Sequence, residues 1–86
     1  MLRKQKNKYF VYIVQCRYGT YYTGYTNNLD RRIELHNNGK GAKYLRGRGP
    51  VELVFVKEYS DCKKAMSEER RIKNLTRKQK EQFILK

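Results

Sequence analysis

The fold is decided by residues 20–36, which read TYYTGYTNNLDRRIELH. The first part is rich in aromatic and β-branched residues and is typical of a strand. Two asparagines follow, whose side-chain oxygens can cap a helix. In that helix Leu29, Ile33 and His36 have the spacing of a face that packs against a sheet. The segment predicts a strand, a short polar link and an amphipathic helix, and the other elements are expected to position it.

A β-hairpin is predicted at the start of this segment. Residues 9–16, YFVYIVQC, are apolar on both faces, which indicates a central strand. The second strand spans residues 20–25, and a three-residue loop ending in glycine joins the two strands. With a loop of that length, Tyr12 faces Gly24, which leaves open space beside the ring. Tyr12 and Tyr22 are then expected on the same side of the sheet.

The chain continues with a basic loop and a third strand. Residues 39–50, GKGAKYLRGRGP, contain four glycines and four basic residues around one tyrosine. Such a loop could be a mobile clamp on a sugar–phosphate backbone, with Tyr44 available to stack on a base, or a flexible solvated connection. In the strand that follows, Val51, Leu53 and Phe55 are interpreted as alternating against Glu52 and Lys57, so we expect the three apolar residues on one buried face.

Two more helices are predicted after this strand. The first begins at Ser60 or Asp61, and its apolar stripe runs through Glu69. A carboxylate in that register is costly to bury unless a cation or hydrogen-bond donors compensate it, whereas Glu68 lies off the stripe and is expected in solvent. A capping box at residues 76–79, TRKQ, starts the last helix. In the helix that begins at Ser60 or Asp61, the apolar stripe consists of Cys62, Ala65, Met66, Ile72 and Leu75.

The charge of the chain indicates a polyanionic partner. Its 86 residues include 21 lysines and arginines against 8 acidic residues, a formal net charge of +13. This excess is typical of nucleic-acid-binding proteins, basic proteins associated with RNA or ribosomes among them. No apolar run approaches the length of a membrane span, and the two cysteines are interpreted as reduced thiols. We therefore expect a cytoplasmic protein without a membrane partner.

The length of the chain limits it to one small domain. Residues 1–8 are polar and basic without periodicity, which predicts a flexible N-terminal arm. Residues 9–86 are expected to form the domain itself, with elements in the order strand, strand, helix, strand, helix, helix.

Several short motifs follow one another in this chain. They are Val11-Tyr12-Ile13, Tyr22-Thr23-Gly24, Leu29-x-x-Arg32-x-x-x-His36, GKGAKY at residues 39–44 and Ala65-x-x-x-Glu69. In this order they resemble the GIY-YIG nuclease domain, above all its small stand-alone bacterial members, over about residues 9–80. The first motif lacks the glycine of the family pattern and the second has threonine in place of isoleucine, but both keep the tyrosine.

The resemblance implies an α+β fold in which a three-stranded antiparallel β-sheet is flanked by about three α-helices. It also implies one divalent metal ion, Mg²⁺ or Mn²⁺, and hydrolysis of a DNA phosphodiester bond. Carried over residue by residue, Glu69 would be the sole direct protein ligand of the metal, Tyr12 would activate the attacking water and Arg32 would bind the scissile phosphate. Tyr22 and His36 would hydrogen-bond the nucleophile, the phosphate or each other.

These residue types suit that chemistry. Magnesium prefers oxygen ligands and retains several waters, so one carboxylate and a substrate phosphate can hold it. Tyrosine, with an ordinary pKa of about 10, is a poor base at neutral pH, and we expect Arg32 and other cations to lower the pKa of Tyr12. Further contacts to nucleic acid are expected from Lys40, Lys43, Tyr44, Arg46, Arg48 and Lys73.

The sequence thus predicts a metal-dependent DNA endonuclease that acts on irregular or branched DNA in repair or recombination. A chain of 86 residues leaves no room for a separate sequence-reading domain, so a protein partner could supply specificity. Two alternatives remain open: a non-catalytic nucleic-acid-binding protein with a nuclease-like fold, and a basic protein that binds RNA.

Overall fold

The computed structural model describes residues 8–84 and shows one antiparallel sheet with three helices. The strands are β1 (Tyr9–Gln15), β2 (Tyr21–Thr26) and β3 (Glu52–Tyr59), and the helices are α1 (Leu29–Asn37), α2 (Cys62–Lys73) and α3 (Arg77–Ile84). The predicted α+β fold is confirmed. The basic arm predicted at residues 1–8 lies, apart from Lys8, outside the described residues.

Strand β1 lies between β2 and β3, as its two apolar faces predict. Tyr12 and Val14 pack on one side with residues of α1, and this side is called the α1 face. Val11 and Ile13 pack on the other side with residues of α2, and this side is called the α2 face. All four side chains are buried. Because neighbouring residues of a strand point to opposite faces, a slip of one residue would exchange the two sets.

The hairpin has the register that its three-residue loop predicts. Tyr12 pairs with Gly24 and Val14 pairs with Tyr22, so both tyrosines lie on the α1 face. The space expected at Gly24 is filled by the Tyr12 phenol, because a Cβ on Gly24 would lie 2.5 Å from the Tyr12 hydroxyl oxygen. Glycine is therefore the residue that lets this phenol extend over β2.

The prediction that Val51, Leu53 and Phe55 share one buried face is wrong. The pairing of β3 with β1 skips Val54, which forms a bulge. After the bulge Phe55 packs on the α2 face, whereas Val51 packs on the α1 face. Leu53 remains 38% exposed. One extra residue in β3 thus reverses the alternation that the sequence suggests.

Helix α1 begins at its predicted asparagine cap and ends at a glycine. The side-chain oxygen of Asn28 accepts a hydrogen bond from a backbone N–H of the first turn. At the other end Gly39 has a φ of 74°, its N–H donates to the carbonyl of His36, and the N–H of Lys40 donates to the carbonyl of Leu35. This pair of bonds closes a helix on a left-handed glycine. His36 therefore lies in the last turn, where the chain reverses.

The loop at residues 39–50 is tied to the core. Its single 3₁₀ turn, Lys43–Leu45, places Leu45 on the α1 face, where it is buried. Near the end of the loop the N–H of Val51 donates to the side-chain oxygen of Asn37 at 2.7 Å. The expectation of a flexible solvated connection is therefore wrong at Leu45.

Helix α2 covers its face of the sheet with Ala65 and Ile72, which are both buried. Met66, expected in the same stripe, is 40% exposed. The capping box before α3 is confirmed, since Thr76 and Gln79 exchange hydrogen bonds of 2.9 and 3.2 Å. Within residues 8–84, no helix has the length and apolar character that crossing a membrane requires.

Candidate functional site

Three of the predicted site residues contact one another on the α1 face. The Tyr12 hydroxyl oxygen lies 2.8 Å from Nε2 of His36, and both side chains are 1% exposed. The Tyr22 ring meets the His36 ring edge-on, with 5.8 Å between their centroids. The hairpin thus supplies two phenols and α1 supplies the imidazole between them.

The loop after α1 determines which nitrogen of His36 carries the proton. The backbone N–H of Ala42 donates to Nδ1 of His36 at 3.2 Å, so Nδ1 is unprotonated. Burial, and then the charge of Arg32, lower the pKa of His36 below its ordinary value of 6.5, which favours the neutral ring. A neutral ring with a free Nδ1 carries its proton on Nε2. Nε2–H of His36 therefore donates to the Tyr12 oxygen, and the hydroxyl proton of Tyr12 is left for another acceptor.

Gly41 belongs to this arrangement, although the sequence reasoning did not assign it a role. A Cβ at position 41 would overlap Nδ1 of His36 and lie 2.9 Å from Cε1 of the same ring. Only glycine lets the loop backbone cross the ring closely enough for Ala42 to donate its hydrogen bond. The signal was the second glycine of the GKGAKY segment, two residues after the glycine that ends α1.

Gly41→Ala is expected to displace His36 and to lower the free energy of unfolding by about 1–3 kcal/mol, because the added methyl group overpacks a buried site. Gly49→Ala is the matched control in the same loop, since its Cβ would have its nearest neighbour at 3.8 Å. We expect the control to change stability by less than about 0.5 kcal/mol. Urea unfolding and the ¹⁵N shifts of the His36 ring measure the two effects. Equal stability of both variants with unchanged His36 shifts would contradict the role of Gly41.

The pKa of Tyr12 is raised above its ordinary value of 10.0, chiefly by burial. The charges of Tyr22 and Glu69 act in the same direction, whereas the charge of Arg32 lowers the pKa. The expected net lowering is therefore wrong for these side chains, because desolvation outweighs the one nearby cation. The N–H of His36 acts the other way, since a donor to the oxygen stabilises the phenolate.

Glu69 belongs to the helix that covers the face of the sheet opposite Tyr12. It lies on α2, its side chain is 20% exposed, and Nζ of Lys73 is 3.7 Å from its carboxylate. Its charge nevertheless raises the pKa of Tyr12. Since β2 is an edge strand and Tyr12 extends over Gly24 of that strand, the candidate site spans the free edge of the sheet. The phenols and the imidazole lie on the α1 side of this edge, and the carboxylate lies on the α2 side.

Glu68 is not in solvent, contrary to expectation. Its side chain is 24% exposed and its carboxylate accepts a hydrogen bond from Nε of Arg71 at 2.7 Å. The adjacent glutamates of α2 are thus buried to a similar extent. They differ in their partners, because Arg71 hydrogen-bonds Glu68 whereas Lys73 stays at ion-pair distance from Glu69.

Arg32 lies beside the cluster. Its charge lowers the pKa of both Tyr12 and His36, so the guanidinium is close to that pair. Arg32 also lines a surface cavity of about 190 Å³ together with Tyr9 and Tyr25. A cation that borders both the phenol–imidazole pair and an open cavity is suitably placed to meet an anionic ligand.

The basic residues predicted to contact nucleic acid fall into two groups. Lys40, Lys43, Arg46 and Lys73 are exposed. Arg48 is half-buried and holds Tyr44, since its guanidinium lies 4.6 Å from the centre of that ring and its Nε donates to the Tyr44 carbonyl. Tyr44 in turn stacks on Tyr22 at 6.1 Å. The ring of Tyr44 thus has Arg48 and Tyr22 as neighbours but remains 42% exposed, and its stacking on a base stays a prediction.

The side chains present fit a metal ion that is held mainly by water and substrate. Among residues 8–84, no group of three or more His, Cys, Asp and Glu side chains could enclose a metal. Glu69 offers a partly exposed carboxylate whose nearest cation, Lys73, is beyond hydrogen-bond distance. Magnesium is commonly bound by one or two carboxylates together with waters and phosphate oxygens. The donor set therefore suits an open site and not a closed structural one.

Known proteins match this chain over most of its length. A model of the GIY-YIG catalytic domain matches residues 8–82. A UPF0213 protein of Bacillus cereus is 51% identical over 82 residues, which cover 95% of this chain and 85% of the relative. The UPF0213 protein YazA of Bacillus subtilis is 48% identical over 80 residues, which cover 93% and 81% of the two chains.

Two solution NMR structures have a similar fold. The UPF0213 protein BH0048 from Bacillus halodurans is 49% identical, with a TM-score of 0.58 over 87% of this chain and 80% of that one. The protein EF2693 from E. faecalis is 38% identical, with a TM-score of 0.62 over 96% and 86%. The likeness covers the sheet and helices that position the candidate site.

Proposed function

Because the chain belongs to the GIY-YIG catalytic domain family, whose members are typically nucleases, we propose that it is a divalent-metal-dependent endonuclease that hydrolyses phosphodiester bonds in DNA. The observation that carries the proposal is the buried Tyr12–His36 pair, whose pKa values respond to Arg32 and, at Tyr12, also to Glu69. Clustered titratable groups with perturbed pKa values are typical of catalytic sites.

Each side chain has a defined task in the proposed reaction. Arg32 binds the scissile phosphate, for which a guanidinium is well shaped. Tyr12, in its phenolate form, takes a proton from the attacking water. The Nε2–H of His36 donates a hydrogen bond to the phenolate oxygen and so stabilises this form. Tyr22 holds the imidazole edge-on. Mg²⁺ or Mn²⁺ at Glu69 supplies Lewis-acid stabilisation of the charge on the phosphate oxygens when it is bound.

The proposed substrate is irregular or branched DNA, and the proposed setting is repair or recombination in the cytoplasm. The net charge of +13 and the exposed lysines and arginine of the loop support a polyanionic substrate that is gripped through its backbone. Backbone contacts carry no sequence information, so a partner protein is proposed to direct the enzyme to its sites.

Cleavage assays with and without metal test this function. A panel of linear, nicked, flapped and branched DNA, with RNA counterparts, is incubated with Mg²⁺, with Mn²⁺ and with a chelator. We expect cleavage of at least one irregular DNA, loss of cleavage with chelator and recovery when metal is restored. The Glu69→Ala protein, prepared in parallel, controls for a contaminating nuclease. Cleavage of equal rate in both preparations would argue against the proposal.

One observation favours a second candidate function, that of a non-catalytic nucleic-acid-binding protein. Burial raises the pKa of Tyr12, so at neutral pH the phenol keeps its proton and cannot accept another until further positive charge stabilises the phenolate. This alternative predicts salt-dependent binding to DNA without cleavage of any member of the panel, at any concentration of either metal.

A further inference from the structure

A cavity of about 390 Å³ lies beside the candidate site at the free edge of β2. Its lining consists of Tyr21, Tyr22, Thr23, Tyr44, Lys73 and Lys80. Tyr22 connects it with the site, because this ring also meets His36 edge-on. The mechanism proposed above uses neither the cavity nor Lys80.

Two cations from different helices line this cavity. Lys73 comes from the last turn of α2, and Lys80 comes from α3. The pKa of Lys80 is lowered by burial and then by the charge of Lys73, so the two ammonium groups are close enough to repel each other. Within residues 8–84, Lys80 forms no ion pair. An anion between them would relieve the repulsion and compensate the buried charge.

The edge of β2 adds backbone donors to the cavity. The N–H of Cys16 bonds to the carbonyl of Thr20, which makes these two residues a hydrogen-bonded pair of the hairpin. Such pairs alternate along an antiparallel ladder. The backbone N–H and C=O groups of Tyr22 therefore point towards β1, whereas the same groups of Tyr21 and Thr23 point away from it. Both outward-facing residues line the cavity. An edge strand without a neighbour offers these N–H groups to a ligand.

The side chain of Thr23 is a second indication that the cavity binds a ligand. Its side chain is 2% exposed, and its hydroxyl oxygen has no hydrogen-bond partner among the described residues. A buried hydroxyl without a partner is costly and uncommon in folded proteins. A ligand oxygen in the cavity that Thr23 lines would supply an acceptor for this hydroxyl.

We propose that this cavity binds the phosphate group of a nucleotide adjacent to the one that is cleaved, with Lys80 as its principal cation. The proposal rests on the proposed function in one respect, namely that a nucleic-acid strand passes the Tyr12–His36 pair. The Tyr22 ring separates this pair from the cavity, so the bound phosphate differs from the scissile one. The cavity thereby positions the strand across the edge of the sheet.

Metal-free binding of DNA tests the assignment. Fluorescence anisotropy with a labelled deoxyoligonucleotide of about 12 nucleotides is measured in chelator, so that cleavage cannot contribute. Lys80→Gln is expected to weaken binding by about three- to tenfold and to reduce the salt slope by about 0.7, the value for one lost phosphate contact on a single strand. Lys78→Gln removes an equal charge from the exposed side of α3 and is expected to bind nearly as wild type.

Uncharged replacements of single phosphates identify the phosphate that Lys80 contacts. Methylphosphonate is placed at one position of the oligonucleotide at a time, and one position is expected to weaken wild-type binding but not binding by Lys80→Gln. Lys80→Arg keeps the charge and is expected to retain the wild-type affinity and the wild-type profile, that is, the effect of methylphosphonate at each position on binding. This variant shows whether the loss in Lys80→Gln reflects misfolding. Equal affinities and equal profiles for Lys80→Gln and Lys78→Gln would overturn the proposal. A positive result without any cleavage in the metal assays would refute the nuclease function and leave this phosphate site intact.

Discussion

Glu69→Gln is expected to reduce the rate of metal-dependent DNA cleavage by about 1,000-fold or more. The substitution keeps the size of the side chain but removes the carboxylate that is proposed to hold the metal and whose charge acts on Tyr12. Loss of Lewis-acid stabilisation is worth several kcal/mol, and each 1.4 kcal/mol is about a factor of ten in rate. Metal-free DNA binding should be unchanged or tighter, because a negative charge is removed and Lys73 is released from its ion pair.

Glu68→Gln is the matched control for this experiment. Glu68 is the preceding residue of the same helix and has a similar exposure, 24% against 20% for Glu69, but it is bonded to Arg71. We expect cleavage within about twofold of wild type and a loss of stability of no more than about 1 kcal/mol. Single-turnover rates and urea unfolding of the two variants provide the comparison. Equal loss of cleavage in both would mean that Glu69 has no special role.

Tyr12→Phe is expected to lower the cleavage rate by about 100- to 10,000-fold, the usual contribution of a positioned general base. DNA affinity should be retained, because the substitution leaves unchanged Arg32 and the loop cations, to which the phosphate contacts are assigned. Stability should fall by about 1–3 kcal/mol, because Nε2–H of His36 loses its acceptor in a buried place. Tyr59→Phe, on the opposite edge strand, is the control and should cleave as wild type.

The pH dependence of cleavage gives a second measurement of the same role. Burial raises the pKa of Tyr12 above 10.0, so the phenolate fraction stays small near neutrality and rises with every increase in pH. The wild-type rate should climb from about pH 7 to about pH 9 without a plateau. In Tyr12→Phe this dependence should be absent. A wild-type rate that levels off near pH 7, or a variant that keeps the full slope, would contradict general-base catalysis by Tyr12.

Local signals predicted the parts of the fold that depend on a few neighbouring residues. The three-residue loop was sufficient to pair Tyr12 with Gly24 and to place Tyr22 on the same face, because hairpin register follows from loop length. The asparagine cap of α1 and the capping box at residues 76–79 were predicted from side chains that bond their own helix end.

Features that depend on distant packing were missed. The bulge at Val54 could not be read from the alternation of β3, because it arises in the pairing with β1. Leu45 was assigned to a solvated loop, yet it fills space against Tyr12 and Val14, which are far from it in the chain. Gly41 was missed because its need for glycine comes from the ring of His36, and the sequence does not show that the two meet.

The amino-acid sequence by itself determined the hairpin register, the asparagine cap of α1 and the capping box before α3. These depend on hydrogen bonds and side-chain periodicities within a few residues of each other. Only the tertiary structure decided that the charge of Glu69 acts on Tyr12 from a helix on the opposite face of the sheet, and that Ala42 leaves the proton of His36 on Nε2. Both depend on which helix and which loop cover each face of the sheet, and that choice is made by the packing of the whole core.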